Sequence, residues 1–333
     1  IYTLSLHDAL PIFGRYSAAP LLYGFRTFDP SLRVAGVIFN RVGKASHYRS
    51  LEAAARDAGV EPLGYVPSNE AIAIGERHLG LNTSLDYDRE GIVEAMADHV
   101  ERTVDIDRLL ALAGTSRLAE GVTKRAPSFR SQSGRVIAVA RDEAFNFLYE
   151  ENLAVLQEHG EVVFFSPLDD ERLPDASLLY LAGGYPELHA ARLSDNTAMR
   201  QAVAAYCLSG GNAYAECGGL MYLGRALHTA DGTTHPMCGV FDLETTMQEA
   251  RLTLGYRKVR FENGYRGELQ GHEFHYSRLE KSEKLTSVAS VSDARDKLVP
   301  TAVFRTMNTL ASYVHLYWGE TRDFPGFLME GTW

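Results

Sequence analysis

From Arg135 onward the chain repeats one pattern: a short, wholly apolar run, a helical stretch, then a glycine that ends it. The apolar runs are 136–140, 162–165 and 178–181, and a further run leads into Cys217. Helical stretches at 152–159 and 198–208 stop at Gly160 and at Gly210-Gly211. A run that is apolar on both faces suits a strand covered from both sides, which is the habit of parallel sheets. Alternation with helices supplies the crossovers that parallel pairing requires. Residues 135–333 therefore read as a doubly wound α/β domain, whose sites gather at the carboxyl ends of the strands. Gly183-Gly184 and Cys217 both fall at such ends.

Asn212-Ala213-Tyr214-Ala215-Glu216-Cys217-Gly218-Gly219-Leu220 is the sharpest of these ends. An apolar strand meets a cysteine and two glycines, the pattern of a strand-to-helix turn that holds one side chain up at the bend. A helix N-terminus there favours a thiolate. The same pattern fits a buried cysteine beside a tight turn equally well. A cysteine nucleophile needs a histidine distant in sequence and an oxyanion hole of convergent N–H groups. His315, at the end of the apolar run 311–315, is the candidate base; a packed core histidine is the plainer reading. Gly218 can give one oxyanion N–H and Gly184, in Gly183-Gly184-Tyr185-Pro186-Glu187, the other. His272, Glu273 and His275 lack the i, i+4 spacing of a zinc helix, so no metal site is expected there.

Before Arg135 a second alternation is visible. Residues 34–40 read as a buried strand, 48–58 as a helix closed by Gly59, and 62–67 as a second strand, an order that implies a parallel sheet. One or two amphipathic helices follow within 86–112. Residues 115–134, rich in Ser, Arg, Gly and Lys, read as a linker. The organisation expected is thus 14–114, linker 115–134, and 135–333. Residues 1–13 begin with Ile1 and look like a translated adapter string, so they are set aside as a non-native leader.

Composition narrows the function. A net charge of -10 argues against a nucleic-acid partner held on a broad basic surface. Three cysteines in 333 residues point to a reducing cytoplasm, not a disulfide framework. No apolar run approaches the ~20 residues needed to cross a bilayer, so no membrane partner is expected.

Four segments in this order carry a family resemblance: Gly-Gly-Tyr-Pro-Glu at 183–187, Ala-Glu-Cys-Gly-Gly-Leu-Met-Tyr-Leu at 215–223, Gly-His-Glu-Phe-His-Tyr-Ser at 271–277 and Ser-Tyr-Val-His-Leu at 312–316. They resemble the class I glutamine amidotransferases, and among them the corrinoid amidases. The resemblance makes Cys217 the glutaminase nucleophile and His315 its activator. Many class I enzymes place a Glu two residues after the histidine. Tyr317 stands there in this chain, which leaves a Cys-His dyad or an orienting group from elsewhere. Gln270 stands where the family usually has Arg. The aromatic segment 141–147 also matches; it can pack on a macrocycle or simply under the domain.

The N-terminal part resembles the ATP-binding domain of the same enzymes, related to dethiobiotin synthetase. Ser17-Ala18-Ala19, Gly24 to Pro30, Gly36 to Val42 and Glu76 to Leu81 carry the likeness. The resemblance places Asn40, whose amide can donate and accept together, at the adenine edge. It implies a P-loop NTPase fold with ATP and Mg2+ as cofactors, yet no Gly-x-x-x-x-Gly-Lys-Ser/Thr occurs in the chain. The expectation is an N-terminally truncated member of the cobyrinic acid a,c-diamide synthase family. Its partners would be glutamine and a corrinoid macrocycle, with room for a homodimer. The resemblance leaves open a metal-free substrate, hydrogenobyrinic acid, and a fragment that keeps only glutaminase activity or corrinoid binding.

Overall fold

The structure is a computed structural model that describes residues 16–73, 76–77, 80–81, 89–114, 134–281 and 285–331. The leader expected at 1–13, and all of the expected linker except Gly134, lie outside the described residues. The chain divides into two compact units, residues up to Lys124 and residues from Arg125.

In the first unit β1 (Gly36–Asn40) pairs parallel with β2 (Glu61–Val66), and α2 (Ala45–Asp57) crosses between them. That is the strand–helix–strand order expected from the sequence. Leu51, Ala54 and Ala55 face inward from α2, and α1 (Ala18–Phe28) adds Leu22. With Phe39, Val42, Ala58 and Val60 these side chains make the core. A short antiparallel pair, β3 (Glu76–Arg77) and β4 (Gly80–Leu81), and the helices α3 (Arg89–Glu101) and α4 (Ile106–Gly114) follow.

The second unit is built on a six-stranded sheet. Its parallel strands are β5 (Val136–Ala140), β6 (Glu161–Phe165), β7 (Leu178–Leu181) and β8 (Ala213–Glu216). Helices α5 (Glu150–His159), α6 (Ala190–Asp195) and α7 (Thr197–Leu208) connect them, and α8 (Gly218–Leu223) leaves β8. Every residue of β7 and β8 is buried, as expected of strands covered on both faces.

Two further sheets lie beyond this frame, the first mixed, with β9 and β11 parallel, and the second antiparallel throughout. One contains β9 (Ala226–His228), β10 (Thr234–Pro236), β11 (Leu243–Thr246) and β14 (Arg278–Lys281). The other orders β15 (Ala289–Ser292), β12 (Thr253–Phe261), β13 (Glu268–His275) and β18 (His315–Tyr317). The hairpin β16 (Val303–Thr306) and β17 (Thr309–Ser312) returns the chain to the main sheet, where β17 lies parallel to β8. The run that ends at His315 in the sequence is therefore split. It leaves the main sheet after Ser312 and re-enters the β12–β13 sheet at His315, so His315 opens a strand.

The last strand is held by packing. Trp318, fully buried, lies 5.0 Å from Tyr180 and 5.8 Å from Tyr214, ring centre to ring centre. Phe324 of α9 (Phe324–Glu330) closes the cluster against Tyr214 at 5.8 Å. Each such aromatic pair adds about 0.5–1.5 kcal/mol beyond the area it buries.

Candidate active site

Cys217 stands between β8 and α8 with φ 46° and ψ −99°. A positive φ on a non-glycine residue costs of order 1–3 kcal/mol and persists only where its surroundings fix it. Here they do. The Cys217 N–H donates to the Ser312 carbonyl at 2.8 Å, and the Gly219 N–H donates to Ala182 at 3.1 Å. The thiol, 6% exposed, points toward the Phe274 carbonyl, 4.0 Å from the sulfur. The Gly218 N–H also faces the sulfur.

The loop after β7 comes up beside this elbow. A Cβ on Gly218 would stand 3.1 Å from the Gly184 nitrogen and 3.0 Å from the Pro186 ring. Gly184 has φ 156°, and a Cβ there would run into the Ala144 carbonyl. A Cβ on Gly183 would clash with Cε1 of the His315 ring. The glycine pair is therefore a steric requirement: it admits the imidazole on one side and brings the Gly184 nitrogen beside Gly218 on the other.

His315 is 3% exposed. Its ring stacks on His272 at 4.9 Å and meets the edge of Phe147 at 4.6 Å. His272 is its register partner across β13 and β18, and its Nδ1 is fixed by the Tyr149 hydroxyl at 2.8 Å. Phe147 belongs to the aromatic segment 141–147, and its N–H donates to the Gly183 carbonyl at 3.0 Å.

The electrostatics keep both groups neutral at rest. Burial pushes the Cys217 thiol up, and the Glu187, Glu216 and Glu273 carboxylates add to that. Burial pulls His315 down to about 3, with help from His272 and His275. The thiolate-favouring helix expected at Cys217 is only six residues long, and its dipole does not overcome desolvation.

The other polar residues of β13 have their own tasks. Glu273 is buried against Arg257 and takes a hydrogen bond from Thr301 at 2.8 Å. His275 stacks on Tyr313 at 3.8 Å, and the Tyr313 hydroxyl meets Ser277 at 2.8 Å. Asn40 lies in the first unit at the exposed end of β1, where its Oδ1 accepts the Arg41 N–H at 2.8 Å. Of the residues singled out in the sequence, the structure gathers Cys217, Gly218, Gly184 and His315 around one loop; Asn40 belongs to the other unit.

Glu216 was missed as a participant. It is 1% exposed at the end of β8, and its carboxylate reaches the backbone of β18. A carboxylate inside the otherwise apolar Ala213-Tyr214-Ala215 run was the available signal.

The strained Cys217 at the end of a central parallel strand and the buried His315 thus lie on either side of the Gly183-Gly184 loop. Residues 136–323 match the CobB/CobQ-like glutamine amidotransferase domain. The cobyrinate a,c-diamide synthase of Salmonella typhimurium is 39% identical over 317 residues, which cover 91% of this chain and 68% of that protein. The hydrogenobyrinate a,c-diamide synthase of Brucella ovis is 37% identical over 316 residues, covering 93% and 71%. The chain belongs to the cobyrinic acid a,c-diamide synthase family.

Proposed function

We propose that this protein uses glutamine to amidate the a and c side-chain carboxylates of cobyrinic acid, a ligation in cobalamin biosynthesis. The names of its most similar relatives support the substrate, and the geometry around Cys217 supports the half-reaction at glutamine. In that half-reaction the Cys217 sulfur attacks the glutamine carboxamide carbon while His315 takes the thiol proton. The oxyanion rests on the N–H groups of Gly218 and Gly184. His315 returns the proton to the departing nitrogen and ammonia leaves. Water then cleaves the γ-glutamyl thioester to glutamate and regenerates the thiol. The observation that carries this reading is the Gly183-Gly184 loop, which adjoins both the His315 ring and Gly218.

ATP and Mg2+ supply the activation of the corrin carboxylate in this reading. Asn40 is the residue proposed for the adenine edge, although its amide oxygen already takes the Arg41 N–H. The residues of this chain do not fit the phosphates: no Gly-x-x-x-x-Gly-Lys-Ser/Thr occurs among them.

The test uses amide-labelled glutamine, MgATP and either cobyrinic or hydrogenobyrinic acid, read by mass spectrometry. Label at two side chains of cobyrinic acid is the expected result. Label confined to hydrogenobyrinic acid would move the substrate to the metal-free corrin. Free ammonia with neither corrin amidated would contradict the ligase reading and leave the glutaminase standing.

A further inference from the structure

His315 has an unmet need. Its Nδ1 is buried and has no hydrogen-bond partner among the described residues. A histidine that takes a proton on one nitrogen is held in the right tautomer by an acceptor at the other. Tyr317, where many class I enzymes carry that acceptor as a Glu, is 41% exposed and packs edge-on against Tyr149.

The carboxylate that faces Nδ1 comes from the other direction along the chain. Glu216 Oε2 lies 4.0 Å from His315 Nδ1. The same oxygen accepts the Tyr180 hydroxyl at 2.9 Å, and Oε1 accepts the Leu316 N–H at 2.9 Å. Glu216 is thus clamped to the backbone of the residue after His315, and β8 carries the nucleophile at its next position. One short strand end would set both halves of the proton relay. We propose that Glu216 is the positioning acid of His315: its Oε2 accepts the Nδ1–H while Nε2 takes the Cys217 thiol proton. The proposal rests on the glutaminase reading of Cys217 and His315. The proton balance is closed: the thiol proton moves to Nε2 and then to ammonia, and the Nδ1–H stays within the pair.

Geometry and electrostatics combine here into a pH signature. Burial pushes the Glu216 carboxyl up to about 8. Its ionised form is the stronger acceptor for the Nδ1–H and stabilises the imidazolium, so glutamine hydrolysis rises with pH through an acid limb near that value. The other titratable groups facing the pair are His272, His275 and Glu273 around His315, and Tyr149, Tyr180 and Tyr214 around Glu216.

The experiment is a pH profile of glutamine hydrolysis for the wild type, Glu216→Gln, Glu216→Asp and Tyr180→Phe. Gln keeps an oxygen for the Leu316 N–H, so the melting temperature should hold. Its kcat should fall by about 10²-fold with KM for glutamine nearly unchanged, and the acid limb should disappear. Asp should restore the limb in part. Tyr180→Phe removes a donor to the carboxylate, so the limb should move to higher pH. A Glu216→Gln enzyme within about twofold of wild type with the same limb would overturn the proposal. If that variant does not fold, an unmoved limb in Tyr180→Phe overturns it. A folded wild type that releases no ammonia would instead mark failure of the glutaminase reading itself.

Discussion

Cys217 and His315 are held neutral by burial, and that has measurable consequences at the residue scale. The folded His315 binds its proton only near pH 3, whereas an unfolded histidine does so near 6.5. Between these values the unfolded state holds the extra proton, so stability is full above 6.5 and falls as the pH drops. The slope from this one group approaches about 1.4 kcal/mol per pH unit. Denaturant melts at pH 7 and pH 5.5 should therefore show a smaller loss in His315→Gln than in the wild type. Equal losses would mean that His315 is not buried as described. Gly183 tests the same contact sterically. A Cβ there would clash with Cε1 of the His315 ring. Gly183→Ala should leave Cys217 in place yet displace the imidazole, lowering glutamine turnover by about 10²-fold or more. Turnover close to wild type would contradict the contact.

At the scale of elements, the site depends on three strand ends from two sheets. β8 supplies Cys217, β17 holds its N–H through Ser312, and β18 presents His315 after the chain has changed sheets. Asn152 of α5 anchors β18. Its Nδ2 donates to the Leu316 carbonyl at 2.7 Å, and its Oδ1 accepts the Trp318 N–H at 2.8 Å. Asn152→Ala strands both buried backbone groups and should cost about 2–5 kcal/mol in chemical denaturation. A loss under about 1 kcal/mol would show that β18 is held by Trp318 packing alone. Much of this layout is legible in the sequence, for physical reasons. β5 and β7 are apolar on both faces and bounded by glycine, so their limits are plain. The α5 start at Glu150 is less visible because Tyr149 precedes it and makes no side-chain cap. The two further sheets are harder still. β12 alternates buried Val259 and Arg257 with exposed Leu254 and Arg260, and its partners lie in β13 and β15. No local pattern reports pairing of that kind. For the same reason Glu216 shows in the sequence only as a charge in an apolar run; its contact with Leu316 spans 100 residues.

For the molecule as a whole, the two units carry different parts of the resemblance, and the family match spans 136–323 in the second. Among the described residues no helix is long and apolar enough to cross a membrane. The proposal that stands at the centre of this account is that Cys217 of the second unit splits glutamine. Its most direct test is the rate of glutamate formation from glutamine by the wild type and Cys217→Ala, with folding checked by circular dichroism. The wild type should turn over, and the variant should lose activity by about 10³-fold or more with its fold intact. Equal turnover in the two proteins, or none in a folded wild type, would contradict the assignment of Cys217 as the nucleophile.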